Sequence, residues 1–433
     1  MNQESSLPIF SIIIPTKNRA EYLFHTLRTC SIQDYENIEV YVCDDGSTDN
    51  TREIVEEASR KDPRIKYVSF GNEVGMRDNF ENALNLVKDG YVLALGGDDA
   101  LLPYGISSML KILKDTKQEI LCWPAPAYFY PKTKMKNGQL IIHAKNGKIQ
   151  NGIKILSTKD FLKRQSERLS YVSDIESPMF YVKGVVSTRL IHKVKNRSPE
   201  GRFYTCSTPD GYSGIVLAGE VDSYAYSHVP FSMHGVSPTS AGVGYLSNDN
   251  NAKAQSAAFF KKAESIPMHK ELASQPYSPL ITVMTADYLL TARDLKGWKG
   301  EFPKINFKQL LDQSLQELCD GLFAYDRISR ELDILKNIAQ YHNLEEYFNA
   351  KVKILKRNKR KTLEGNAISR TRLYFDASEY NIQNVFDAAY ISYYMYQFIP
   401  KMKLSTLIKL LINSMKYGIM GIRKDGKLQQ NID

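Results

Sequence analysis

IFSIIIPTKNR (residues 9–19), IEVYVCDDGSTDNT (38–51) and YVLALGGDDALLP (91–103) decide the fold. Each is a short apolar, β-branched run that stops in a polar loop: 9–14 at Pro15, 38–43 at Asp44-Asp45-Gly46-Ser47, and 91–95 at Gly96-Gly97-Asp98-Asp99. Runs of this length, largely apolar and closed by turn residues, read as strands buried on both faces. Between them the period changes to that of a helix. Tyr22, Leu23, Thr26 and Leu27 fall on one face of a helix expected over residues 19–32. Thr48 or Asp49 can cap a second helix that carries Ile54, Val55 and Ala58. A third strand is expected over 65–70 and a third helix over 78–87. Strand and helix thus alternate through the first hundred residues, which argues for an α/β domain of parallel strands covered on both faces. In such sheets ligands sit beyond the carboxyl ends of the strands, where both acidic pairs lie.

Further along, residues 100–245 read as mixed structure, with a short strand over 181–187 and lysine-rich turns at 132–148. After residue 248 helical stretches dominate, at 277–295, 307–338 and 385–398. Charge changes at the same place. The first hundred residues carry 10 Lys and Arg against 18 Asp and Glu, whereas residues 251–433 carry 28 against 19 and account for the whole net charge of +9. We therefore expect one domain over 7–248 and a basic, helical region over 249–433. An acidic start argues against a nucleic-acid partner.

Other features narrow the class. With 43% hydrophobic and 24% charged residues the chain is a folded globular protein rather than a disordered one. Its five cysteines, at 30, 43, 122, 206 and 319, form no CxxC pair, so a disulfide framework and a zinc ribbon are excluded and a reducing, cytoplasmic setting is expected. The opening MNQESSLPIF lacks a secretory signal, and no apolar run reaches the ~20 residues of a membrane span.

Two Asp pairs at neighbouring strand ends concentrate like charge. A divalent cation with hard oxygen ligands, Mg2+ or Mn2+, compensates such charge and can hold a diphosphate that leaves as a neutralised group. The structural alternative is that each pair caps a helix or shapes a turn.

Taken in order, the three segments resemble the signatures of family 2 glycosyltransferases with the GT-A fold. That resemblance implies an inverting enzyme using a nucleotide-sugar donor, usually a UDP-sugar. It implies that Pro15, Thr16, Asn18 and Arg19, with Asp44 or Asp45, grip base and ribose, and that Arg77 and Asn79 line the donor pocket. Asp98 becomes the direct cation ligand, and Asp99 its neighbour facing the sugar or a metal-bound water. Family members often carry Asp where this chain has Gly96. For the base that deprotonates the acceptor, FYTCSTPDGYS (203–213) offers Asp210 at an expected helix start, where the ionised form is favoured. Glu220 and Asp222 are the other choices. His234, in a polar loop over 231–242, can complete the metal shell under a lid on the diphosphate. The acceptor implied is a saccharide or lipid-linked saccharide of a surface polysaccharide. A basic cluster (Lys351, Lys353, Lys356, Arg357, Lys359, Arg360, Lys361) and an amphipathic stretch from Leu404 to Ile419 suit either peripheral contact with an anionic membrane or docking on the protein itself. The rival readings are a sugar nucleotidyltransferase, opposed by the lack of glycine in 15–19, and a non-catalytic membrane- or polyanion-binding protein.

Overall fold

The computed structural model describes residues 7–133, 136–146, 148–240, 257, 259–320, 325–355 and 365–398. Four parallel strands begin it, β1 (Ile9–Thr16), β2 (Ile38–Asp44), β3 (Ile65–Ser69) and β4 (Gly90–Ala94), joined by helices α1 (Ala20–Ser31), α2 (Thr51–Lys61) and α3 (Met76–Asn85). β5 (Ala100–Leu101), α4 (Ile106–Thr116), β6 (Ile120–Cys122), β7 (Ala127–Phe129), β8 (Gln139–His143), β9 (Ile153–Ser157), α5 (Thr158–Arg168), β10 (Gly184–Ser187), α6 (Thr188–Lys195), α7 (Asp210–Ala218), β11 (Ser223–Ser227) and β12 (Ser232–Val236) follow. Next come helices α8 (Ile281–Arg293), α9 (Phe307–Cys319), α10 (Tyr325–Tyr341) and α11 (Glu345–Lys353), then β13 (Ala367–Ile368), β14 (Arg372–Asp376) and α12 (Val385–Phe398).

The strands form two sheets, one in the order β3-β2-β1-β4-β10-β6-β11-β9 and one in the order β13-β14-β8-β7-β12-β5. The isoleucine run of β1 explains the layering. Ile12 and Ile14 point to one face with Leu23, Leu27, Val55 and Met109 from α1, α2 and α4. Ile13 points to the other, with Phe80 of α3 and Leu190 of α6. Because β1 lies between β2 and β4, the loops after these three strands open side by side. Register locks them: Thr16 pairs with Asp44, and Ile13 with Ala94.

The first three strand–helix units lie where periodicity places them. Elsewhere local signals overshoot. The helix expected over 277–295 begins only at Ile281, because Pro279 disfavours helical geometry just before it. The strand expected from 181 begins at Gly184, behind a tight turn at Val182. The stretch 307–338 is described as α9 and α10, with 321–324 outside the described residues. The expected boundary at 248–249, Lys356 to Lys361 of the basic cluster, and the whole amphipathic stretch from Leu404 also lie outside them. Among the described residues no helix is long and apolar enough to cross a membrane.

Sequence after the expected boundary builds structure before it. α8 to α10 share one apolar cluster with Tyr212 and Leu217 of α7 and Ile13 of β1. β14 pairs with β8 along five residues, Leu373 joins Leu140, Ile142 and Tyr128, and Arg28 of α1 stacks 3.8 Å over the ring of Phe386 in α12. Truncation after residue 248 should therefore strip both the cover of α7 and the edge of the second sheet. We expect the truncated chain to aggregate or to lose its cooperative melting transition in calorimetry; a soluble fragment with the melting temperature of the full chain would contradict this.

Candidate functional site

The loop after β1 is zipped to the loop after β2. Asn18 adopts φ +51°, donates its backbone N–H to Ser47 Oγ (2.8 Å) and accepts the N–H of Thr48 on Oδ1 (2.8 Å). Asparagine tolerates that left-handed geometry better than most residues. Beside it, Arg19 N–H donates to Thr51 Oγ1 (3.3 Å) and Ala20 N–H to Asp49 Oδ2 (3.0 Å), so the unpaired amides at the start of α1 are satisfied by the neighbouring loop. Pro15 and Thr16 end β1; Thr16 Oγ1 is buried and has no hydrogen-bond partner among the described residues. The Arg19 guanidinium donates to Thr239 Oγ1.

Asp44 and Asp45 both shape their own surroundings. Asp44 accepts from Ser47 N–H (3.0 Å), Ser47 Oγ (2.5 Å) and the Tyr67 hydroxyl (2.8 Å). Asp45 accepts from the amides of Val74 (2.6 Å) and Gly75 (2.9 Å), and burial raises its pKa. A carboxylate offers about four acceptor positions, so these bonds leave capacity on each. On α3, Asn79 is buried and donates to the Cys43 carbonyl (2.9 Å), bracing the end of β2. Arg77 pairs with Asp78 (2.9 Å) and lines a cavity of about 260 Å³ with Lys262 and Ser207.

The second acidic pair is enclosed by sequence far downstream. Asp98 Oδ2 accepts from Ser237 Oγ (2.5 Å), Ser240 Oγ (2.9 Å) and Ser237 N–H (3.3 Å). Asp99 accepts from the Gly235 amide on Oδ1 (2.8 Å) and the Gly96 amide on Oδ2 (2.6 Å). Asp99 is 2% exposed, and burial, followed by the charge of Asp98, pushes its pKa up to about 8 against the pull of the two amides and Arg19. Only glycine fits at 235: a Cβ there would lie 1.6 Å from the Asp98 carbonyl oxygen.

His234 is a strand residue, which corrects the expectation of a flexible loop. β12 pairs His234 with Ala127 of β7, and the His234 N–H donates to the Pro126 carbonyl (2.8 Å). Backbone pairing on both sides overrides the polar composition that suggested a loop. Burial, then Lys183, lowers the imidazole pKa to about 4, with Asp98 opposing, so the ring is neutral at pH 7. Among the described residues no group of three or more His, Cys, Asp or Glu side chains is arranged to hold a metal ion.

Asp210 is the first residue of α7. Burial raises its carboxyl to about 6 while a hydrogen bond from Tyr171 opposes the rise, so burial outweighs the helix-end effect expected from the sequence. The alternatives separate clearly. Glu220 is buried and paired with Arg197 and with Lys193 (3.1 Å), whereas Asp222 is exposed. Asp210 shares surroundings with the Asp98–Asp99 pair through Tyr181, whose phenol is held well above its ordinary pKa by burial and then by Asp99, Asp210 and Asp98. Sequence reading overlooked Tyr181, Tyr67 and Tyr171, which sit in unremarkable stretches with no local signal of what they meet.

The chain is similar in sequence to known proteins over its N-terminal part. Residues 11–179 match the family model described as Glycosyl transferase family 2. A GalNAc(5)-diNAcBac-PP-undecaprenol beta-1,3-glucosyltransferase of Campylobacter jejuni is 33% identical over 106 residues, 24% of this chain and 34% of that protein. A chondroitin synthase of Escherichia coli is 33% identical over 104 residues (24% and 15%), and a hyaluronan synthase of Pasteurella multocida 34% identical over 110 (25% and 11%). The aligned part thus spans from about a tenth to about a third of the length of these relatives. Among solved structures, S. aureus TarS 1-349 in complex with UDP is 16% identical with a TM-score of 0.41, covering 79% of this chain and 92% of that one. Strand order, the enclosed acidic pairs and the family match converge on one assignment: in residues 11–179 the chain carries a family 2 glycosyltransferase domain, with the GT-A fold.

Proposed function

We propose that the protein is an inverting glycosyltransferase that moves a sugar from a nucleotide-sugar, a UDP-sugar, to a saccharide or lipid-linked saccharide acceptor in surface-polysaccharide assembly. The observation that carries this reading is the buried Asp98–Asp99 pair at the end of β4, next to the loops of β1 and β2, with an Asp210 raised to about 6 whose charge, like theirs, acts on the buried Tyr181 phenol. The relatives' names support the acceptor class, since they include a transferase named for an undecaprenol-linked saccharide and two polysaccharide synthases.

Transfer chemistry is assigned to residues 7–248. Thr16, Asn18, Arg19 and the spare acceptor positions of Asp44 and Asp45 receive the nucleoside; Arg77 and Asn79 support that pocket from α3. A divalent cation, Mn2+ or Mg2+, fits the donor set. Among the described residues Asp98 Oδ1 accepts no hydrogen bond, and a carboxylate oxygen is a hard ligand of the kind these ions prefer. Asp98 would hold the ion, with His234 as the nitrogen donor of the set. When bound, the ion supplies charge neutralisation to the departing diphosphate. Asp210 takes the proton of the attacking acceptor hydroxyl. A carboxyl near 6 is mostly ionised at pH 7 yet more basic than an ordinary aspartate, as general-base catalysis requires. Residues 249–433, with their excess of Lys and Arg, are assigned to the side that meets an anionic membrane surface at the cytoplasmic face.

Two outcomes follow. UDP-sugar with Mn2+ should raise the melting temperature of the wild type and not that of Asp98→Ala. Asp210→Asn should keep donor affinity while kcat falls by about 10²–10⁴-fold; unchanged turnover in that variant would end the assignment. The pH dependence has a definite sign. Asp99 binds its proton more tightly folded than unfolded, so the native state holds the extra proton between the ordinary aspartate value and about 8, and stability declines as pH rises through that window. From pH 7 to 9 the melting temperature of the ligand-free protein should fall more steeply than that of Asp99→Asn, and parallel curves would show that Asp99 does not titrate there.

A further inference from the structure

Helix α12 carries an aromatic stripe on the side that it does not bury. Its packed side puts Val385, Ala388, Ala389 and Tyr396 into the cluster that holds Tyr128, Leu140 and Met233. On the other side Phe386, Tyr390, Tyr394 and Phe398 recur at every fourth residue, the spacing that stacks side chains one above the next along a helix. Neighbouring rings in this row have centroids 4.9, 6.5 and 5.9 Å apart. Tyr394 is 51% exposed and Phe398 58%. A connected row of rings in water marks a contact surface, whereas single exposed rings do not.

Two rings from the N-terminal part extend the face. Arg28 of α1 bridges Phe24 and Phe386, with its guanidinium 5.8 and 3.8 Å from the two ring centroids, and Tyr104 lies edge-on to Tyr393 at 6.0 Å. Phe24 is 41% exposed and Tyr104 48%. Tyr104 stands there from a left-handed backbone position, φ +56°, which is uncommon outside glycine. Both rings are close along the chain to the carboxylate crevice. Phe24 follows Arg19 by five residues on α1, about 8 Å of helix rise, and Tyr104 follows Asp99 by five. The aromatic face and the crevice therefore share α1 and the segment between β4 and α4.

The chemistry of the face selects its partner. A tyrosine has an apolar ring and a hydroxyl that can stay wet, and such rings concentrate at the level of lipid headgroups. Cations flank the row: Arg28 lies beside Phe386, and residues 399–433, directly after Phe398, carry seven Lys and Arg against two Asp. That charge complements anionic lipid. A second copy of the same face would instead set these cations against one another. We propose that the aromatic stripe of α12, with Phe24 and Tyr104, lies in the headgroup layer of an anionic bilayer, so that the carboxylate crevice opens close to the membrane surface. This rests on the reading above, in which the acceptor is lipid-linked: a saccharide held at the surface by its lipid reaches the site without leaving the bilayer.

The test uses the full chain with vesicles of phosphatidylcholine alone and of phosphatidylcholine mixed with phosphatidylglycerol. Sedimentation should show binding to the mixed vesicles above that to phosphatidylcholine. The double variant Tyr394→Ala/Phe398→Ala should weaken it about tenfold or more, the effect of roughly one large apolar side chain, with melting temperature and UDP affinity unchanged. Tyr394→Trp is a local reporter, since the native tryptophans, Trp123 and Trp298, are buried and half-buried. Its emission should shift to the blue on mixed vesicles and be quenched by lipids brominated in the acyl chain. Binding that survives the double variant, with an unshifted reporter, puts the membrane contact elsewhere in the chain and overturns the proposal. So does a wild type that ignores both vesicles, or one whose self-association disappears in the double variant, which makes a second copy the occupant. Thermal stabilisation by UDP-, GDP- and dTDP-sugars with Mn2+ is measured in parallel. Its absence alongside vesicle binding ends the glycosyltransferase reading and leaves the membrane face standing, whereas its presence without vesicle binding ends the face alone.

Discussion

A pair of adjacent carboxyl groups buried at the end of a strand must be satisfied by hydrogen bonds, because an unpaired buried anion costs several kcal/mol. Here that requirement reaches across the chain. Gly235, Ser237 and Ser240 supply donors to Asp98 and Asp99 from more than 130 residues downstream. Bringing them in lays β12 across the end of β4, and β12 is the strand that ties β5 to β7 in the second sheet. β8, β14 and α12 build outward from there. The carboxyl groups at the end of β4 thus also tie the first sheet to β12 of the second.

Such double use recurs around the crevice. Asp44 and Asp45 each have protein partners that shape the turns after β2 and β3, which is the structural role their residue types suggest, yet neither exhausts its acceptor positions. Asn18 closes the first two loops on each other before any ligand arrives. A site assembled in this way is preorganised, and preorganisation of dipoles and charge is where most catalytic stabilisation resides.

Much of this was legible in the sequence, for a definite reason. β1 to β4 and α1 to α3 are set by hydrophobic periodicity and turn residues, which are local, and the acidic pairs end the strands that periodicity identifies. Asp210 was legible as a helix start, although its elevated pKa was not, since burial is a property of the packed chain. Glu220 could be set aside only once Arg197 and Lys193 were seen beside it. His234 looks like a loop residue until two partner strands are present. Tyr181 carries no signal at all, because its surroundings are set by a turn braced by Ser232 and Ala94 and by carboxylates distant in sequence.

The pairing of β14 with β8 has a consequence for how the polypeptide is made. Leu140 and Ile142 leave the ribosome some 230 residues ahead of the segment that covers them, Arg372–Asp376. At ordinary translation speeds of 5–20 residues per second that interval is on the order of 10 to 50 s. Throughout it a nascent chain displays an uncapped β edge beside an apolar face, so the hazard of premature association falls during synthesis, and holdase chaperones would meet the molecule there first.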